Sequence, residues 1–241
     1  MEEELFMTEH RPYPLPSTPW IMTQTWEHLL FLHWRVPQTL LRPLLPPELE
    51  LDTYEGHAWI SALPFRVTHQ KMRGLPEIPL FNTFLELNVR TYVKYKGFSG
   101  VYFFSLDANH PLAVCGARVF SLPYKHATMK MKIENQSIAF TSKRIFSNNG
   151  RFDAEYKPVS EPIFTLSGTL DSWLLERYCL FTKWGKQLLQ GDIHHKKWEV
   201  SKVKVAFTEN TVGPFGRPSE PPLLHYSSIK KTFIWPLKKV E

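Results

Sequence analysis

The chain is poor in glycine and cysteine: 11 glycines against 20 prolines, and 2 cysteines, in 241 residues. It has no G-x-G-x-x-G, no Walker-type G-x-x-x-x-G-K-[ST] and no G-x-S-x-G run, so phosphate cofactors and serine hydrolysis find no support. Cys115 and Cys179 lie in the apolar contexts LAVCGAR and ERYCLF. That placement fits buried reduced thiols and neither a disulfide scaffold nor a zinc site. No apolar run reaches the roughly 18 residues of a membrane span. The opening MEEELFMTEH has no basic segment followed by an apolar one, which argues against a secretory leader and for a cytoplasmic protein. The net charge of +6 is spread out, with no basic run longer than pairs such as Lys196-Lys197 and Lys230-Lys231. Nucleic acid and membrane are therefore not expected partners.

What is abundant is aromatic and β-branched residues in short extended runs. The stretch from Asn82 to Lys132 holds three of them, with turn signals at Lys96-Gly97, Ser99-Gly100 and Asn109-His110-Pro111. In the first, Leu85, Leu87, Val89, Thr91 and Val93 alternate with Glu86, Asn88, Arg90, Tyr92 and Lys94, which puts the two sets on opposite faces of a strand. The second, Val101 to Leu106, is nearly all apolar, as in a strand buried on both sides. The third, Ala113 to Leu122, carries Arg118 and ends at Pro123-Tyr124-Lys125-His126. Charged and polar groups in such runs are costly unless paired or used.

Residues 1–19 read as a proline-dotted lead-in. Ile21–Glu27 has no clear period, Leu29–Trp34 reads as strand, and Gln38–Leu45 as a short helix between prolines. Ala58–His69 is a strong strand. Lys130–Glu134, Ser137–Arg144 and Arg151–Tyr156 form a meander turning at Asn135-Gln136 and Asn148-Asn149-Gly150. Thr169 caps a second short helix ending by Arg177, and Tyr178–Trp184, Leu188–His194 and Trp198–Phe207 are further strands. Residues 213–241 are a proline-rich tail with LLHYS as a last strand. With no repeat and no linker, residues 1–241 are expected to form one domain of α+β class, mostly antiparallel β, closed or half-closed around a cavity.

The segments PWIMTQTW, LLFLHWRVP, LRPLLPPELELDTYEGHAWI, ELNVRTYV, GVYFFSLDA, LERYCLF and IHH…W together resemble the YqjF-like family of uncharacterised bacterial proteins (DUF2071), over roughly residues 12 to 228. Three segments are also similar, more distantly, to acetoacetate decarboxylase. That likeness implies a β-barrel or cone around an internal cavity. It places Arg35 at the substrate-carboxylate arginine, Glu86 at the active-site glutamate and Arg118 at an arginine of the decarboxylase's Gly-Arg-Glu segment. The catalytic segment departs from the pattern: the decarboxylase has two lysines after proline, whereas here Tyr124 stands at the Schiff-base position and Lys125 at the helper position. A phenol cannot form an imine.

The resemblance thus implies a site for a small carboxylate or oxo acid, with Arg35 and Arg118 binding the anion and Glu86, Tyr124 and Lys125 as candidate catalytic groups for decarboxylase- or lyase-like carbonyl chemistry. The rival is a non-enzymatic ligand-binding or stress-response protein that has lost the reactive amine. Each residue also has a plain structural alternative: a strand-end lysine in solvent for Lys125, a barrel salt bridge for Glu86, a packed aromatic for Tyr124. Arg177 is expected to pair with Glu176, and Arg90 with Asp107 across strands. Adjacent His194 and His195 point to opposite faces of a strand, so no metal site and no cofactor is expected. The aromatic surplus leaves a homo-oligomer open.

Overall fold

The computed structural model describes residues 3–79, 82–111, 122–145, 147, 149–216 and 220–240. It is built mostly of strand: β1 (Met22–Val36), β2 (Glu50–Leu51), β3 (Ala58–Met72), β4 (Phe84–Tyr95), β5 (Phe98–Ala108), β6 (Tyr124–Glu134), β7 (Ser137–Arg144) and β8 (Arg151–Pro158) come first. After them come β9 (Ile163–Phe164), β10 (Cys179–Trp184), β11 (Gln187–His194), β12 (Glu199–Val200), β13 (Val203–Asn210), β14 (Leu223–Ile234) and β15 (Lys238–Lys239). Among the described residues two short α-helices, α1 (Gln38–Leu41) and α2 (Leu170–Leu175), interrupt them. Cys115, Arg118 and most of the Ala113–Leu122 run lie outside the described residues.

Most neighbours in the main sheet are antiparallel, but β5 pairs in parallel with both β6 and β10. Because β4 bonds to β3 on one edge and β5 on the other, the path β5-β10-β11-β14-β1-β3-β4 returns to β5. The hairpin β6-β7-β8 and β13 continue from β5 as a wing. Its inner residues Phe140, Phe152 and Tyr156 pack with Leu30, Leu32, Ile60, Leu87 and Val89. The opposite face of β1, β3 and β4 packs Phe31, Phe65 and Phe84 with Trp198 and Leu175 of α2. The expected alternation on β4 thus separates two cores.

Local signals explain the connections. The pairs Glu55-Gly56, Lys96-Gly97 and Asn135-Gln136 all have positive φ, the geometry of the two-residue turns that match strand twist. Thr169 caps α2, its Oγ1 accepting from the Ser172 N–H at 3.4 Å. Ser99-Gly100, a turn signal in the sequence, lies inside β5. A Cβ at Gly100 would stand 2.7 Å from the Cys179 sulfur, so the glycine serves close approach of β10. Tyr102, Phe103 and Phe104 are only half-buried, so β5 is not covered on both sides as its composition suggested. Trp198–Phe207 breaks into β12 and β13. The expected tail instead supplies β14, a twelve-residue strand between β1 and β11. Its continuation past Ser227 was hidden by the lysines Lys230 and Lys231.

Two expected ion pairs form differently. Asp107 is fully buried and pairs with Arg144 rather than Arg90, Nε to Oδ2 at 2.7 Å. Arg144 also donates to Ser105 Oγ at 2.6 Å and to the Val212 carbonyl at 3.0 Å. Gly150, at φ 97, leaves room for this guanidinium: a Cβ there would lie 2.3 Å from Arg144 Cδ. Arg177 pairs with buried Asp52 at 2.6 Å rather than with Glu176. Glu176 instead accepts the Tyr178 hydroxyl and, at 3.0 Å, the Trp198 N–H. In both cases a partner more distant in sequence wins over the nearer one.

Removing one member of a buried pair strands the other charge. Asp107→Ala and Arg144→Met should each lower stability by about 3–5 kcal/mol in urea denaturation. The double replacement should cost less than their sum.

Candidate functional site

The polar face of β4 runs through the second core. Glu86 is 4% exposed and Asn88 8%, while Tyr92 is fully buried. Parallel pairing of β6 with β5 sets Tyr124 beside Leu106 and His126 beside Ala108, and Glu86 faces Ala108 across β4 and β5. Tyr124 therefore projects onto the Glu86 side. Its hydroxyl donates to Glu86 Oε2 at 3.0 Å. Asn88 donates a second hydrogen bond to the same carboxyl.

Burial drives the Glu86 carboxyl up to about 7, against the opposing pull of the Asn88 and Tyr124 hydrogen bonds. It can therefore hold or release a proton near neutrality. The Tyr124 phenol is pushed well above its ordinary value, first by burial and then by the adjacent Glu86 charge. It remains a neutral hydrogen-bond donor. Two residues singled out in the sequence thus meet: a protonatable carboxyl and a phenol aimed at it.

Lys125 points the other way. It is exposed, and its register partner is Asp107. Its ammonium is lowered first by partial burial, then by the Arg144 charge, with Asp107 opposing. It sits beside the structural ion pair, on the side of β6 opposite Tyr124. Arg35, at the end of β1, is exposed with its guanidinium 5.4 Å from the Trp59 ring centre. It shares its strand face with His33. Arg118 is outside the described residues.

Sequence reasoning missed several buried groups on this face. His33 is fully buried, its Nδ1 2.7 Å from Ser61 Oγ and 3.1 Å from the Tyr92 hydroxyl. His225 on β14 stands edge-on to His33 with ring centres 5.4 Å apart. Lys230, placed in the tail from sequence, is 7% exposed, donates to the Lys197 carbonyl at 2.8 Å and lies 5.0 Å from the Trp198 ring centre. A lone imidazole in the apolar run LLFLHW was the available signal for His33. His194 and His195 are held separately: His194 by Arg11 and the Glu4 carbonyl, and His195 between Tyr178 and Trp198. Among the described residues no group of three or more His, Cys, Asp or Glu side chains is placed to hold a metal ion.

Comparison with known proteins fits this frame. A family model, DUF2071, described as an uncharacterized conserved protein, matches residues 23–230. The chain is 47% identical over 229 residues to the uncharacterized protein YqjF of Bacillus subtilis (strain 168), covering 93% of this chain and 95% of that one. Among solved structures it is similar to acetoacetate decarboxylase from Legionella pneumophila, at 18% identity, a TM-score of 0.63, and coverage of 99% of this chain and 94% of that one. It is also similar to the enduracididine biosynthesis enzyme MppR in complex with pyruvate, at 12% identity, a TM-score of 0.64, and coverage of 93% and 91%. At those identities the likeness carries the fold: an acetoacetate-decarboxylase-like arrangement of strands. The chain belongs to the DUF2071 family.

The raised Glu86 carboxyl makes a stability prediction. The folded state keeps this proton up to about pH 7, whereas the ordinary value is 4.5, so between those values the folded state holds more proton than the unfolded one. Its contribution to stability then falls as pH rises through that window and levels off above it, by about 3 kcal/mol in total. Glu86→Gln should remove this slope, gaining on the parent chain between pH 4.5 and 8 in denaturant titrations. Parallel pH profiles of the two proteins would refute the assignment.

Proposed function

We propose that this chain binds a small carboxylate or oxo acid against the Glu86–Tyr124 pair, which acts on the ligand's carbonyl by proton transfer and without an imine on Lys125. The observation that carries this reading is the buried Glu86 carboxyl, poised near 7 and hydrogen-bonded at 3.0 Å by Tyr124. A neutral phenol is a donor for a carbonyl or developing oxyanion. A carboxyl poised near neutrality is matched to giving and taking protons at physiological pH. The resemblance to acetoacetate decarboxylase and the pyruvate-bound state of MppR supply the ligand class by analogy of fold. Arg35, exposed on the face that carries His33, supplies positive charge to an arriving anion, and Arg118 keeps the anion-binding role that the resemblance gives it.

A second reading, a binding protein without turnover, is favoured by one observation. The lysine retained from the decarboxylase pattern, Lys125, is exposed beside Asp107 and Arg144 rather than beside Glu86. Both readings share the ligand and the Glu86–Tyr124 pair; they differ in whether product accumulates.

Incubation with pyruvate or acetoacetate plus borohydride, followed by intact mass and peptide mapping, should leave Lys125 unmodified. Calorimetry should show carboxylate binding that weakens as pH rises through about 7, because ionised Glu86 repels the anion, and that is nearly flat with pH in Glu86→Gln. Arg35→Ala should lower affinity severalfold, more at low salt than at high salt. A stable adduct on Lys125 would overturn the imine-free reading.

A further inference from the structure

Beyond Glu86, the same face of β4 leads into a second buried polar cluster. His33, Ser61 and Tyr92 are fully buried and mutually hydrogen-bonded, with Ser61 Oγ 2.7 Å from the Tyr92 hydroxyl. Arg90 donates to Tyr92, so the phenol oxygen already accepts and its O–H passes onward. The chain of donors Arg90 to Tyr92 to Ser61 to His33 makes His33 Nδ1 an acceptor and leaves the proton on Nε2. His225 Nε2 lies 3.1 Å from Asp171 Oδ1, an arrangement that puts its proton on Nε2 and a lone pair on Nδ1. Four buried atoms here meet no hydrogen-bond partner among the described residues: Arg90 Nε, His33 Nε2, His225 Nδ1 and Asn88 Oδ1. Buried polar atoms are rarely left so, and several on one face call for a ligand.

We propose that Arg90 and His33 form the carboxylate-binding end of the site, so that its ligand is an oxo acid whose carboxylate lies several carbons from the carbonyl held at Tyr124 and Glu86. This rests on the reading given under Proposed function and specifies its ligand. Two N–H donors on one face, one of them a guanidinium, suit a carboxylate. The guanidinium also argues against a metal ion between the two imidazoles. Both His225 and Arg90 depress protonation of His33, after burial itself, which places all three charges within reach of one another. Glu86 and Arg90 are four residues apart, about 13 Å along a strand, and Asn88 stands between them. The Arg90 guanidinium lies 5.9 Å from the ring centre of Tyr92, the next residue of that face beyond it, so a compound as short as pyruvate does not span the distance to Glu86. The acceptors His225 Nδ1 and Asn88 Oδ1 would take a hydroxyl or enol hydrogen along the chain of the ligand.

The test is calorimetry with the series acetoacetate, levulinate and 6-oxoheptanoate, each also as its methyl ester, on the parent chain, Arg90→Met, Arg90→Lys and Glu86→Gln. Affinity should rise along the series in the parent chain. Replacing carboxylate by ester should cost tenfold or more there and in Glu86→Gln, less than twofold in Arg90→Met, and an intermediate amount in Arg90→Lys. The acids, and not the esters, should shift the His33 Nε2 resonance in nitrogen-detected NMR. An undiminished ester penalty in both Arg90 variants, with binding of the acids still falling with pH in the parent chain and flat in Glu86→Gln, would overturn the Arg90 end while leaving the Glu86–Tyr124 site standing. Strongest binding by acetoacetate would overturn the length assignment. Failure of every acid to bind the parent chain would overturn both this inference and the reading beneath it.

Discussion

A strand hydrogen-bonded on both edges and covered on both faces, as β4 is, has nowhere to send a polar side chain except into the core. On β4 that constraint applies at alternate positions from Glu86 to Tyr92, and the structure is largely a set of answers to it. Tyr124 and Asn88 serve Glu86, and Ser61 and His33 serve Tyr92. Farther along, Lys94 reaches buried Asp52 at 2.9 Å, and Asp52 also takes Arg177. Arg177 in turn lies over the Trp173 and Tyr92 rings, 4.3 and 5.0 Å from their centres, tying α2 to the same face. The partners come from β3, β5–β6, β1 and α2. The polar face therefore could not be satisfied by any local piece of the chain; it requires the sheet to be assembled around it.

The alternation on β4 was legible because period-two patterning is local, and so were the turns at Lys96-Gly97 and Asn135-Gln136 and the cap at Thr169. Glu86 and Tyr124, named from sequence on separate segments, are brought into contact by the pairings of β5. Partner choice was not legible. Arg177 finds Asp52, 125 positions away, and Asp107 finds Arg144 instead of Arg90. Such choices depend on register between strands, which no single segment encodes. The last strand was obscured for a different reason. Its lysines break the apolar pattern, yet Lys230 is buried with its amine on a backbone carbonyl and its stem along Trp198, as long basic side chains often are.

The site's electrostatics follow from unequal pairing of two carboxyl groups that burial pushes up alike, one on each face. On the Glu86 side, neutral donors and aromatic rings surround the carboxyl, and burial dominates, so protonation is favoured. On the Asp107 side, an equally buried carboxylate has a guanidinium at 2.7 Å and serves as an anchor. Two acids one residue apart in the β4–β5 register thus differ in what stands across from each, a guanidinium at Asp107 and neutral donors at Glu86.

That separation also bears on the lysine. Tyr124 and Lys125 are adjacent on β6, so one faces Glu86 and the other Asp107. Turning the Lys125 amine toward Glu86 would need a one-residue slip of β6 against β5. The slip would carry Ala127, Met129 and Met131 out of the first core and shift Arg144, paired with Ala127 across β7, away from Asp107. A buried carboxylate would be left without its cation, a loss of several kcal/mol, in exchange for one amine. The register that holds the wing in place is thus the same register that keeps a phenol, and not an amine, at the Glu86 carboxyl. The Lys125 amine is thereby withheld from the Glu86 carboxyl by the same pairings that hold the wing to the sheet.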